Sequence, residues 1–277
     1  MTWGLAAVFF GFVLLGAYCK RFLRPLDAIV VIIFVPYCGL ISSRCTDWLL
    51  SNDGTTFASI FDLSGNLVSW GGRWGSILFV LLWMPRRILL AMDIFGPAYF
   101  TALGIGRLGC LAEGHDHGKI IQWALPDKFA RVFADGLAFD SSGYITYRFV
   151  QEMQAARIQI PWYAVSYGPN SRVQFDLVGM PLYPVQALLS IMDFGIAYMC
   201  ARVWFREMGT GLVAGRALVL WAVGRFTLEF LRGDLSRGAD LLVGLSAGQL
   251  ASIVFGIFGI CLLLIGRSKQ VSLNAQA

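Results

Sequence analysis

Apolar residues fall into long blocks separated by short polar connections, the spacing of a chain that crosses a bilayer repeatedly. The blocks run roughly over Gly4–Tyr18, Ala28–Ile41, Gly71–Met84, Ile88–Leu108, Tyr183–Trp204, Gly211–Leu231 and Ala247–Ile265. The first three are short at their apolar cores and need flanking residues to cross; the last four are long enough alone. Between the fourth and fifth blocks lies a long connection, residues 111–182, rich in Gly, Pro and charge. Within it Trp162–Tyr167 and Val173–Leu177 alternate like short strands around the turn Gly168-Pro169-Asn170, and Phe149–Arg157 suits a short helix. The pattern predicts an all-α membrane protein with seven transmembrane helices and a small extracytoplasmic α/β head between helices four and five. The expected division is 1–110 for helices one to four, 111–182 for the head, and 183–277 for helices five to seven with a cytoplasmic tail.

Basic residues give the direction of crossing. Lys20, Arg21 and Arg24 follow the first block, Arg86 and Arg87 the third, Arg202 and Arg206 the fifth, and Arg267 and Lys269 the seventh. The Arg44–Trp70 loop on the opposite side is poor in Lys and Arg and carries Asp47, Asp53 and Asp62. Cytoplasmic loops collect positive charge, so the N-terminus is expected outside and the C-terminus in the cytoplasm. The stretch Met1–Lys20 lacks a basic start, and Tyr18 before Cys19 is too bulky for a lipoprotein cleavage site, so it reads as a retained first helix.

Composition agrees: 57% hydrophobic, 14% charged and a mean hydropathy of +0.66. Soluble domains carry about 25% charged residues, so the soluble globular class is excluded. The net charge of +5 sits mostly in short loops and needs no nucleic-acid partner. Six scattered cysteines without a Cys-x-x-Cys pair give no disulfide framework and no zinc knuckle. No cofactor is expected.

Several charges fall at one predicted depth. Arg107 ends the fourth block on the outer side and Arg73 begins the third on the same side. Arg225, Glu229 and Arg232 are spaced by four and then three, which puts them on one helix face. An arginine in hydrocarbon needs water or an anion, and a trio with excess positive charge suits a phosphate, which guanidinium groups bind in bidentate fashion. For Arg73 and Arg232, snorkelling to the headgroups is an equal reading. Asp93 and Asp193 lie near or within blocks, where either suits an ion pair with Arg216.

Gly104-Ile105-Gly106-Arg107-Leu108-Gly109 matches GxGxxG but closes an apolar helix instead of linking strand to helix, so a dinucleotide site is rejected. Its glycines suit close helix packing and backbone approach to a ligand. Next come Cys110, Glu113, His115, Asp116 and His117. A metal site there lacks a third spaced ligand; His115 as a proton-transfer group and a plain polar loop both remain open.

Six stretches recur together in order: Trp3-Gly4-Leu5, Ser69-Trp70-Gly71-Gly72, Gly106-Arg107-Leu108-Gly109, Leu182-Tyr183-Pro184-Val185-Gln186, Gly224 to Arg232, and Ser246-Ala247-Gly248-Gln249. Over nearly the whole chain they resemble the prolipoprotein diacylglyceryl transferase family. The resemblance implies a seven-span bacterial inner-membrane enzyme with a periplasmic head. Such an enzyme moves diacylglycerol from phosphatidylglycerol to the lipobox cysteine thiol of a prolipoprotein, releasing glycerol phosphate. It implies Arg107 and Arg225 on the phosphate, Glu229 and Arg232 in the supporting network, and Gly118 as the glycine that closes the motif after Arg107.

The chain departs from the family pattern at five positions. Trp70 stands for His, Cys110 for Asn, His115 for Glu, Tyr183 for His and Trp221 for Tyr. With no His at position 70, His115 is the first candidate base and Glu229 the second, while Trp70 and Cys110 become supporting positions. The rival expectations are a lipid-binding or accessory homologue without transfer, and transfer of a lipid group to a different acceptor. A transporter is disfavoured because ionisable residues gather at one interface and leave the midplane sparse.

Overall fold

The computed structural model describes residues 2–50, 69–134, 149, 151–152, 160–168, 171, 173, 177–233 and 244–276. The side chains of Trp70 and Arg73 lie outside the described residues.

Helices form on each of the seven apolar blocks. They are α1 (Thr2–Phe22), α2 (Pro25–Leu50), α3 (Ser69–Trp83), α4 (Ile88–Glu113), α6 (Val185–Tyr198), α7 (Leu212–Glu229) and α8 (Ala247–Gln276), with a short α5 (Asp127–Ala134) in the long connection. Three segments are long and apolar enough to cross a membrane: Pro25–Thr46, Pro85–Glu113 and Ala247–Lys269. The chain is therefore a mostly helical membrane protein.

Helix ends differ from the apolar boundaries because capping and breaking residues set them. Pro25 starts α2, where its missing N–H costs nothing. The helix runs on to Leu50 and takes in Arg44 and Asp47, which the hydropathy pattern assigned to a loop. Helix α4 likewise passes the expected end at Leu108 and stops at Glu113. Gly114 ends it with φ +82, and the N–H groups of Gly114 and His115 both reach the Cys110 carbonyl at 3.0 Å. Arg107 and Cys110 therefore sit inside a helix. Helix α6 is short and continues as a π turn over Met199–Val203.

Among the described residues of the expected head no strand forms. Val165 and Leu182 exchange two backbone hydrogen bonds, and Ile120 makes a second isolated bridge to Leu182. Pro161 and the turn at Trp162–Tyr163 interrupt the alternation before a ladder can extend. The apolar positions close a small core instead: Leu125, Phe129, Phe149, Met180 and Leu182 are buried together, and α5 contributes its apolar face to it. Of the second expected strand, residues 174–176 lie outside the described residues, as do Pro169 and Asn170 and most of Phe149–Arg157.

The chain packs as two compact units. One comprises Val8–Ala102, Gly195–Leu220 and Val254–Ala277, around a core that includes Leu15, Val31, Val80, Met84 and Ile94. Within it Asp93 is fully buried and accepts the N–H groups of Gly209, Gly211 and Ala214, each at 2.8 Å. Gly209 (φ +97) and Gly211 (φ +88) adopt the left-handed backbone that aims those amides. Asp93 thus caps α7, whose N-terminal dipole favours an anion. Arg216 pairs with Glu207 at 2.8 Å instead of with Asp93. The other unit, Met1–Ala7, Leu103–Phe194 and Trp221–Ile253, holds Arg107, Glu113, His115, Asp116, His117, Arg225, Glu229 and Arg232, whereas Arg73 belongs to the first unit.

Candidate functional site

Four helix termini supply this site: the C-terminal turns of α4 and α7 and the N-terminal turns of α6 and α8. A backbone strap, residues 117–121, ties three of them together. Lys119 N–H donates to Leu231 O at 2.8 Å and Gly233 N–H to His117 O at 3.0 Å. On the strap's other edge Tyr183 N–H donates to Lys119 O at 3.0 Å and Ile121 N–H to Pro181 O at 2.8 Å. Gly118 pairs with Arg232 in an isolated antiparallel bridge, and a Cβ on Gly118 would collide with the Tyr183 backbone. Gly233 is equally tight, its Cβ position falling 2.6 Å from Gly118 O. No other residue type fits that crossing.

The ionic network lies beside the strap. Arg225 Nη1 bonds Glu229 Oε2 one turn further along α7. Arg232 reaches the same oxygen through Nη1 at 3.5 Å and turns Nη2 to Asp116 Oδ1 at 2.7 Å. Asp116 Oδ2 then accepts from Arg107 Nη1 at 3.3 Å. Ser246 Oγ donates to Glu229 Oε1 at 2.9 Å. Ser246 also caps α8: Gln249 N–H donates to its hydroxyl at 3.2 Å, and its own N–H donates to Gln249 Oε1 at 3.0 Å. Gly248 must stay small, since a Cβ there would sit 2.5 Å from Glu229 Oε1 and 3.0 Å from Arg225 Nη2.

Among the described residues, three guanidinium groups stand against two carboxylates in a cluster whose ionic side chains are at most 15% exposed, an excess of one positive charge. Charge so poorly hydrated attracts an anion strongly. Among the described residues, the contacts of Arg107 and Arg225 all run through Nη1, so Nη2 of each is left for a ligand. Two such donors on separate helices suit the non-bridging oxygens of a phosphodiester.

The structure thus brings together Arg107, Arg225, Glu229 and Arg232, with Gly118 in the strap beside them. It also recruits residues to which the sequence pattern assigned no role: Asp116, Gln186 and Ser246. Gln186 is 1% exposed; its Oε1 accepts from Arg107 Nη1 at 3.5 Å, and its Nε2 donates to the carbonyls of Asp116 and of His115, the latter at 3.3 Å. A Ser-x-x-Gln capping box at 246–249 and a glutamine opening an apolar block were the available signals.

The His115 ring turns to Glu113, Nε2 to Oε2 3.6 Å, and is 44% exposed. His117 is buried, its Nδ1 3.1 Å from Gly118 O. Among the described residues no three His, Cys, Asp or Glu side chains are grouped to hold a metal. Gly104 packs under Phe194, its Cβ position 2.9 Å from the ring, and Ser190 Oγ bonds Gly104 O at 2.9 Å, so this glycine serves helix packing. The end of α4 (Leu111, Ala112) and the head segment around Ser166, Tyr167 and Gly168 line an open cleft of about 510 Å³. Burial there, with Cys110 beside it, pushes the Tyr167 hydroxyl above its ordinary range, which keeps it a neutral donor.

Arginines gathered with carboxylates at helix ends, in a mostly helical membrane protein, make a cluster whose chemistry suits an anion. The prolipoprotein diacylglyceryl transferase family model matches residues 2–265, and the chain belongs to that family. It is 25% identical over 202 residues to a phosphatidylglycerol–prolipoprotein diacylglyceryl transferase of Clostridium tetani, covering 71% of this chain and 64% of the relative. The second transferase of that name in Clostridium perfringens is 26% identical over 211 residues (75% and 65%). That of Burkholderia cenocepacia is 24% identical over 218 residues (77% and 68%). The chain spans just under two thirds of the length of the two clostridial relatives.

Proposed function

We propose that the protein transfers the diacylglyceryl group of phosphatidylglycerol to the lipobox cysteine of prolipoproteins at the outer face of a bacterial inner membrane. The single observation that carries this reading is the cluster of Arg107, Arg225, Arg232, Asp116 and Glu229, net positive among the described residues, whose contacts with Arg107 and Arg225 leave Nη2 of each for a ligand. In this reading the seven apolar helices all cross, the N-terminus is periplasmic and the C-terminus cytoplasmic, and residues 111–182 form the periplasmic head. Family membership and the basic residues at the end of α1, after α3, at the π turn and in the C-terminal part of α8 support that arrangement.

The chemistry follows from the charges. Arg107 and Arg225 seat the phosphodiester, with Arg232 adding to the local positive potential; Arg73 is a further candidate for the lipid phosphate. The acceptor thiol loses its proton to His115, whose imidazole is oriented by Glu113. The thiolate attacks the glyceryl carbon that bears the phosphate ester. A C–S bond forms as the C–O bond breaks, and glycerol phosphate departs with the electron pair, its growing charge met by the guanidiniums. Glu229 fits the second-choice base poorly, since its two oxygens already accept from Arg225, Arg232 and Ser246; it holds the arginines. Gly118 lets the strap close, with Cys110 on α4 a supporting position and Trp70 a further candidate for one.

The test is purified protein with phosphatidylglycerol vesicles and a lipobox peptide, followed by mass spectrometry. A diacylglyceryl thioether is expected from the wild type, with Arg107→Ala and Arg225→Ala each lowering its rate by about 100-fold or more, as for loss of a charge-stabilising donor. No product from the wild type sinks the transferase reading and leaves a lipid-binding homologue; undiminished rates in both variants sink the phosphate clamp.

A further inference from the structure

Asp116 occupies a place that its sequence surroundings do not announce. It lies two residues past Gly114, which ends α4, and its backbone is left-handed, φ 52, the one described residue other than glycine with positive φ. Side chains other than glycine, Asn and Asp seldom adopt that corner, and a structure keeps it only where neighbours hold it. Here they do. Buried Gln186 donates to the Asp116 carbonyl, and the next residue is tied through its carbonyl to Gly233 N–H at 3.0 Å. From this corner the carboxylate divides its oxygens, Oδ2 to Arg107 at 3.3 Å and Oδ1 to Arg232 at 2.7 Å.

We infer that Asp116 is a positioning residue of the phosphate site, a fixed carboxylate that holds the guanidiniums of α4 and of the chain just past α7 in one mutual geometry. Gln186 completes the device, because the same amide that pins the Asp116 backbone also accepts from Arg107 at 3.5 Å. The inference rests on the proposed phosphate clamp. It carries a sign that a purely structural role lacks. Removing the charge of Asp116 leaves three guanidiniums against one carboxylate, which favours an anion, while the arginines lose the orientation that the reaction needs. Binding and turnover should move apart.

Asp116→Asn keeps the size and removes the charge. In the transfer assay kcat is expected to fall by about 10- to 100-fold, the range for a misplaced catalytic group, while KM for phosphatidylglycerol stays level or drops. Detergent-purified Asp116→Asn should retain phosphatidylglycerol over phosphatidylethanolamine at least as well as the wild type. Asp116→Glu should recover part of kcat. Gln186→Leu, which leaves the carboxylate and removes its pin, should show the same split and serves if the Asn variant folds poorly. An unchanged kcat, or kcat and lipid retention failing together, overturns the assignment. Wild type that makes no thioether strikes the transferase reading alone; the comparison of lipid retention between wild type and Asp116→Asn still decides the role of Asp116.

Discussion

Arg225 and Glu229 stand one turn apart on α7, and each replaces the water that the other lacks. A spacing of four places Arg225 and Glu229 on one face of α7, because helical periodicity is strict, whereas Arg232, expected on the same face, lies past the helix end in the bridge to Gly118 and reaches Glu229 from there. The partner on the far side was not legible. Asp116 reaches Arg107 and Arg232 only through a left-handed corner, and nothing in Gly114-His115-Asp116-His117 says which side chain turns inward. The same local geometry sends His115 to Glu113. Since one carboxylate balances two guanidiniums, Glu229→Ala is expected to cost about 3–5 kcal/mol, the range for breaking a buried ion pair from one side. Thermal unfolding in detergent reads that loss. Glu229→Gln, which keeps an acceptor for Ser246, should lose less.

At the scale of elements, the apolar blocks located every long helix because hydrocarbon-compatible runs have few alternatives. They misplaced the ends, which depend on individual residues: Pro25 opens α2 and Gly114 closes α4. The first expected strand of the head, Trp162–Tyr167, does not form, for a related reason. Alternation at Trp162–Tyr167 reports that one side is buried, and a packed cluster around Phe129 and Met180 satisfies that as well as a sheet does. The strap 117–121 had no periodic signature, being a single bridge on each edge. Its tolerance is correspondingly small. Gly118→Ala should force the strap away from Tyr183 and disturb α4, α6 and α7 together, lowering transfer by about 10-fold or more for a displacement of order 1 Å. Transfer kinetics beside a circular dichroism spectrum unchanged from wild type would identify a local shift; full activity would show that the strap has slack.

For the whole molecule, direction rests on charge bookkeeping along the loops, and it yields a plain expectation. Single cysteines placed after Arg267 in a chain otherwise free of cysteine should resist a membrane-impermeant thiol reagent in intact cells, while one at exposed Trp162 should react. The reverse pattern would invert the proposed topology and put the arginine cluster on the wrong face for an exported acceptor. The pairing within α7 also bears on how such a chain is made. A lone arginine at a helix centre costs about 2.5–3.5 kcal/mol during insertion. Helix α7 carries the counter-charge of Arg225 at i+4, so that arginine can enter lipid already paired while α8 is still being synthesised. Ser246 then arrives last, at the head of the final helix, and closes over a carboxylate already in place. Biogenesis and binding thus draw on one ion pair: it lets an arginine enter the bilayer early and keeps it charged for the ligand it meets later.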